Sequence, residues 1–259
     1  MHVTTYGASD RPPLVLLHGG IGTGSYHWGR QADALEDLFH VHLPDLPGHG
    51  QSPIDDSASY NRETLVSAVG NLLEELEPPV HVGGFSMGGH TALALAERRP
   101  ELFRSLLLIG VSFREHDGLK AWRKLFQPDN LEKVYPFWAK QLSKIHAPLG
   151  SEDSWRDVCL RDSQGMAVDV DVEQLKAIDG PVLLMRGDRD NTVEVEQYAD
   201  LRATFPNSEE AVIPAGGHDV QLTRADVVKP LLRDFYERVL KNSAEPGSPK
   251  RTADLRTEN

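Results

Sequence analysis

The segment Gly84-Phe85-Ser86-Met87-Gly88 constrains this chain more than any other. It follows an apolar, β-rich run over 80–85 and precedes a helical pattern over 87–98, so the chain turns from strand to helix at a serine. A turn that sharp forces Ser86 into a strained backbone conformation, and glycines two residues to either side leave room for it. The hydroxyl then stands clear of the sheet, exposed as a nucleophile. The plainer alternative is a glycine-rich turn whose serine only caps the following helix.

Around this turn, short β-rich runs at 3–6, 14–17, 41–44, 80–85, 106–109, 182–186 and 210–213 alternate with helical patterns at 62–76, 87–98, 195–205 and 227–240. The pattern predicts an α/β fold, a mostly parallel sheet flanked by crossover helices, with strand and helix strictly alternating in both halves. Between 113 and 177 the alternation stops. That stretch is helix-like and carries three of the four tryptophans, Trp122, Trp138 and Trp155. A structureless loop of such length does not fit a compact domain, so it is expected to be an inserted helical cap. The expected organisation is a core of 1–112 and 178–241, a cap of 113–177, and a polar tail of 242–259 with too little apolar surface to offset its ordering entropy.

A serine attacks only when a base takes its proton, and the base must be oriented by a third group. His218, on a glycine-bounded loop after the run at 210–213, is the best base; His2, His40 and His116 are expected to be solvated loop histidines. The acid should come from the carboxyl end of the preceding strand, where Gly187-Asp188-Arg189-Asp190-Asn191 offers two carboxylates. Asp190, farther along the turn, is preferred because it could reach toward a distant loop. Asp188 is assigned to local backbone donors in an Asx-type turn. Donors for a developing oxyanion are the backbone N–H of Met87, at a helix N-terminus, and that of Gly20, in His18-Gly19-Gly20-Ile21-Gly22. A phosphate-cradling loop is the alternative at Gly20, but no Gly-Lys-Ser/Thr follows, and residues 20–24 are expected to open no long helix.

Charge narrows the partners. With 27 Lys+Arg against 39 Asp+Glu, the net charge of −12 repels phosphate backbones and anionic lipid head groups, so a small-molecule substrate is expected rather than nucleic acid or a membrane. The single cysteine, Cys159, excludes an internal disulfide. No His/Cys cluster has metal-ligand spacing, so neither metal nor organic cofactor is expected. The first residues lack a basic region and a long apolar run, and no stretch nears the ~20 apolar residues of a spanning helix, so a cytoplasmic protein is expected. The oligomeric state is left open.

Read together, these residues resemble the α/β-hydrolase superfamily, in the chain order Ser, acid, His. The likeness runs from about Leu14 to Leu240 and includes His18-Gly19-Gly20, the loop Asp45-Leu46-Pro47-Gly48-His49-Gly50-Gln51-Ser52, the Ser86 turn, Gly187-Asp188-Arg189-Asp190 and Gly217-His218. The resemblance implies Ser86 as nucleophile, Asp190 as acid, His218 as base, and Gly20 with Met87 as oxyanion hole. It implies a carboxylesterase- or lactonase-like enzyme that cleaves a small carboxylic ester, lactone or thioester through an acyl-enzyme. Carbon–carbon hydrolysis, perhydrolase or haloperoxidase-like chemistry, a biosynthetic thioesterase or cyclase, and a non-catalytic small-ligand receptor are the alternatives on the same scaffold. Ile21 and Thr23 interrupt the longer glycine stretch of the carbon–carbon hydrolases. In the cap, Trp122, Phe126 and Trp138 are the expected pocket residues, against a purely structural role on helix faces. Residues 113–147 hold seven Lys/Arg and four Asp/Glu, which is either a solvated face or a preference for an acid-bearing substrate.

Overall fold

The computed structural model describes residues 1–54, 60–164 and 168–244. Along the chain run β1 (Val3–Tyr6), β2 (Pro13–Leu17), α1 (Gly24–Leu35), β3 (His40–Pro44), α2 (Arg62–Glu75), β4 (Val80–Phe85), α3 (Met87–Ala96) and β5 (Phe103–Ile109). Next come the helices α4 (Asp117–Lys124), α5 (Pro128–Val134), α6 (Pro136–His146), α7 (Ser154–Gln164) and α8 (Val172–Leu175). The chain then returns to the sheet with β6 (Val182–Gly187), α9 (Val195–Thr204), β7 (Ser208–Ile213), α10 (Val220–Thr223) and α11 (Ala225–Ala244).

The seven strands form one sheet in the order β1-β3-β2-β4-β5-β6-β7, parallel except for β1, which pairs antiparallel with β3. The order reverses at β2, whose neighbours are β3 on one side and β4 on the other. At such a switch point the loops leaving adjacent strands diverge and open a crevice at the carboxyl edge. Leu17 pairs with Gly84, so the loop beginning at His18 and the turn at Ser86 leave the sheet side by side.

Strand side chains alternate between faces, and both faces are covered. Along β2, Leu14 and Leu16 pack with Trp28, Leu35, Leu232, Phe235 and Tyr236 from α1 and α11. Val15 and Leu17 pack instead with Leu65, Val69, Leu93 and Leu201 from α2, α3 and α9. A third cluster, with Phe126, Leu131, Leu142, Trp155, Val158 and Cys159, holds the helices of the 113–177 stretch together.

Three sequence expectations are corrected. Strand and helix do not strictly alternate, because β1 and β2 follow one another without a helix. Residues 20–24 do lead into a helix, the 12-residue α1. Its buried positions include His27 and Gln31, so its apolar stripe is weak in sequence, and Gly24 and Gly29 lower its propensity further. Gly24 is required by packing, since a Cβ there would lie 2.7 Å from the Leu43 carbonyl oxygen. Thr23 caps the helix by accepting from the Tyr26 N–H. Finally, α11 continues to Ala244, so the first residues assigned to the tail are helical; 245–259 lie outside the described residues.

Candidate active site

Ser86 sits at φ 47°, ψ −117°, a conformation that L-residues rarely adopt. Its neighbours explain the glycines: a Cβ at Gly84 would meet Gly89 Cα at 2.5 Å, and one at Gly88 would meet the Leu17 carbonyl oxygen at 2.4 Å. The Ser86 side chain makes no capping bond to α3, so the plainer reading of this serine is not what the fold uses.

His218 Nδ1 lies 2.9 Å from Asp190 Oδ2. Sequence reasoning missed Thr192, whose Oγ1 donates to Asp190 Oδ1 and also lies 2.6 Å from His218 Nδ1. Burial opposes ionisation of Asp190, yet the imidazole and the Thr192 hydroxyl and N–H hold its carboxyl below the usual value. The two acidic residues divide their work differently from expectation. Asp190 makes the local Asx-type bond, accepting from the Thr192 N–H at 2.9 Å, as well as the long-range one. Asp188 instead accepts from the Gly216 N–H across to the loop that carries His218. The missed signal was the Asp-x-Thr spacing. Gly110, at φ +61°, was also missed: a Cβ there would lie 3.0 Å from the His218 ring and 3.4 Å from Asp190 Oδ2.

The other imidazole nitrogen, Nε2, is buried without a hydrogen-bond partner among the described residues. It therefore does not bond Ser86 Oγ in this structure. Both residues line one cavity of about 770 Å³, together with Gly20, Phe85, Trp122, Phe126, Trp138 and Asp190. A smaller alcove of about 50 Å³ opens beside Ser86, walled by Gly20, Met87, Leu119, Trp122, Phe126 and Val168 and by the polar side chains of Arg62, His90, Thr91, Arg123 and Asp162. Trp122, Phe126 and Trp138 thus all line the larger cavity, while Trp155 is buried in the third hydrophobic cluster.

The loop after β2 is tightly bonded. His18 Nε2 accepts from the Leu46 N–H and its Nδ1 donates to the Gly19 carbonyl, a neutral ring enforced by burial and by the neighbouring His49. The Gly19 N–H reaches His27 Nδ1, and the Gly22 N–H returns to the Gly19 carbonyl. Among the described residues the Gly20 N–H has no such partner. Asp45 spans this loop and the next, accepting from the Gly24 and Gln51 N–H groups.

Two histidines read as solvated are not so. His116 is buried with Nε2 3.1 Å from Ser112 Oγ, four residues earlier on the chain leaving β5. His40 opens β3 half-buried, its ring against that of His42 with centroids 4.2 Å apart. Among the described residues no group of three or more His, Cys, Asp or Glu is disposed to hold a metal ion, and no helix is long and apolar enough to cross a membrane.

Comparison with known proteins agrees with this architecture. The model of the α/β hydrolase fold family matches residues 12–225, and the chain belongs to that family. Among curated relatives it is similar to the pimeloyl-[acyl-carrier protein] methyl ester esterase of Aeromonas hydrophila, 27% identical over 245 residues that cover 84% of this chain and 92% of the relative. The enzyme of the same name from Vibrio atlanticus is 28% identical over 252 residues, covering 88% and 95%. A solved structure of a meta-cleavage product hydrolase from Pseudomonas fluorescens superposes with a TM-score of 0.74 over 92% of this chain and 94% of that one; at 21% identity the likeness is one of fold.

Proposed function

We propose that this protein is a serine ester hydrolase working through an acyl-enzyme. The observation that carries the reading is His218, anchored through Nδ1 on the buried Asp190, its Nε2 without a partner among the described residues and its ring lining the cavity that Ser86 also lines. His218 Nε2 takes the Ser86 proton as Oγ attacks the substrate carbonyl. Gly20 and Met87 N–H groups stabilise the tetrahedral oxyanion. Nε2 returns the proton to the departing alcohol, and a water activated by the same nitrogen then releases the acid. A small swing of the ring or of the Ser86 hydroxyl completes the missing hydrogen bond on substrate binding, as active-site bonds often tighten only in the complex.

The proton delivery orders the substrate. The leaving alcohol must lie against His218, and so occupies the 770 Å³ compartment; the acyl chain then points to the other side of Ser86, into the 50 Å³ alcove. That alcove has room for only a few water-sized groups. Short acyl groups on larger alcohols, thiols or lactone rings are the substrate class this supports. Trp122 and Phe126, 5.8 Å apart edge to face, stand between the two compartments.

Two measurements test the reading. Ser86→Ala should abolish turnover of p-nitrophenyl acetate and labelling by an alkyl fluorophosphonate while the fold persists; retained turnover would refute the nucleophile. Across p-nitrophenyl esters, kcat/KM should fall as the acyl chain lengthens beyond butyryl, whereas acetates of bulkier alcohols remain good substrates. A preference for octanoyl over acetyl esters would reverse the substrate orientation.

A further inference from the structure

Ile21 follows Gly20 and adopts φ +51°, a conformation that is an outlier for a β-branched residue. It is the third residue of the turn closed by the Gly22 N–H on the Gly19 carbonyl, a position with positive φ that normally asks for glycine. What holds it there comes from the inserted helices. Asp162, on α7, accepts from the Ile21 N–H at 2.5 Å. His146, at the end of α6, lies with Nε2 3.0 Å from the Ile21 carbonyl, while its Nδ1 accepts from the Gly50 N–H at 3.0 Å, so Nε2 carries the proton and donates. Burial and the neighbouring His49 lower the His146 pKa to about 4, which suits this neutral, one-donor form. Asp162 is anchored in turn by His49 Nε2 at 3.1 Å and by the Tyr60 hydroxyl, and its side chain is 2% exposed. Both peptide groups flanking Ile21 are therefore gripped from the 113–177 stretch. The Gly19–Gly20 peptide, whose N–H is the proposed oxyanion donor, is the next one along the chain, and a Cβ on Gly20 would lie 3.2 Å from Asp162 Oδ2.

We propose that Asp162 and His146 are positioning residues through which the docked cap sets the conformation of the oxyanion turn. The inference rests on the oxyanion role assigned to Gly20. The turn is competent only while the cap is seated, so cap docking and transition-state stabilisation are one event. Displacement of a stabilising donor by a fraction of an ångström acts on kcat rather than on substrate affinity.

The experiment is a steady-state and inhibitor comparison on p-nitrophenyl acetate. Asp162→Ala should lower kcat by about 10–100-fold with KM within about twofold. It should weaken inhibition by methylboronic acid, whose tetrahedral adduct places an oxygen where the oxyanion forms, by a similar factor. Asp162→Asn, which can still accept from the Ile21 N–H, should recover most of both. His146→Ala should act in the same direction, and the double variant should cost less than the product of the two, because both side chains hold one residue. In an Ile21→Gly background, where positive φ needs no support, the effect of Asp162→Ala should shrink. Should Asp162→Ala fail to fold, the His146→Ala and Asp162→Asn measurements decide. A folded Asp162→Ala or His146→Ala enzyme with unchanged kcat, or with raised KM and unchanged boronate affinity, would overturn the inference. If Ser86→Ala stays active, the underlying hydrolase reading fails instead.

Discussion

The Trp122 indole, on α4 of the inserted helices, meets the His218 imidazole edge to face with ring centroids 5.4 Å apart. Phe85, the residue before Ser86, packs against the same imidazole at 4.9 Å. A histidine on a glycine-bounded loop is thus packed against an aromatic from α4, away from the sheet. Aromatic pairs of this kind contribute about 0.5–1.5 kcal/mol beyond their burial. Trp122→Ala is therefore expected to lower kcat on p-nitrophenyl acetate by about 2–12-fold, and Trp122→Phe to lose less. Equal kcat in all three enzymes would show that the contact does not act through His218.

The strain at Ser86 is separable from its chemistry. A non-glycine residue in such a conformation costs about 1–3 kcal/mol, part of which glycine's extra chain entropy offsets. Ser86→Gly and Ser86→Ala should both be inactive, but the glycine variant should melt higher, by about 2–4 °C for each kcal/mol of strain relieved in a chain of this size. Matching melting temperatures by calorimetry would show that the turn stores no such energy.

Thr192 donates to the Asp190 carboxylate, and a hydrogen bond to a charged group is worth about 1.5–3 kcal/mol. Thr192→Val should lower kcat roughly tenfold or more with little change in KM, and Thr192→Ser should restore it. A Thr192→Val enzyme with full kcat would reduce the threonine to a turn residue.

Acid should unfold the protein well above the carboxylate range. Burial lowers the pKa values of six imidazoles: His27 and His90 to about 3, His42, His81 and His146 to about 4, and His18 well below the usual value. A folded-state pKa below the unfolded value of 6.5 means that the unfolded chain binds protons first. The stability these rings allow is complete above pH 6.5 and lost as pH falls toward their folded values. Each such ring adds to the slope inside that window, and the contributions run in the same direction. Urea midpoints from pH 7.5 to 5 should fall steeply below pH 6.5, and His81→Gln, remote from Ser86, should shallow the slope by about a sixth, one ring among six. A flat profile across that range would contradict neutral burial.

Local pattern made the frame legible. The run at 80–85 and the glycines around Ser86 describe a turn whose constraints lie within a few residues, and the structure has it where the pattern put it. The apolar strands were legible because alternate residues of β2 serve two separate cores. Helix α1 was not, since its buried face carries His27 and Gln31, whose suitability for burial depends on partners such as the Gln221 carbonyl, 190 residues away. The separate duties of Asp188 and Asp190 were equally hidden, because the Gly216 amide that claims Asp188 lies 28 residues on, in the loop after the neighbouring strand β7.

Backbone geometry and hydrophobic periodicity act at short range, so the chain alone determined its class of fold, the strained serine, and the identity of the histidine and carboxylate that meet at the sheet edge. Tertiary structure decided what those groups touch. That Thr192 bridges Asp190 and His218, that Trp122 packs against the imidazole, and that Asp162 and His146 hold Ile21 are all contacts between segments tens to more than a hundred residues apart or across a turn. Directional hydrogen bonds and ring contacts of that kind exist only once packing has brought the partners within a few ångströms, and no local pattern in the chain encodes them.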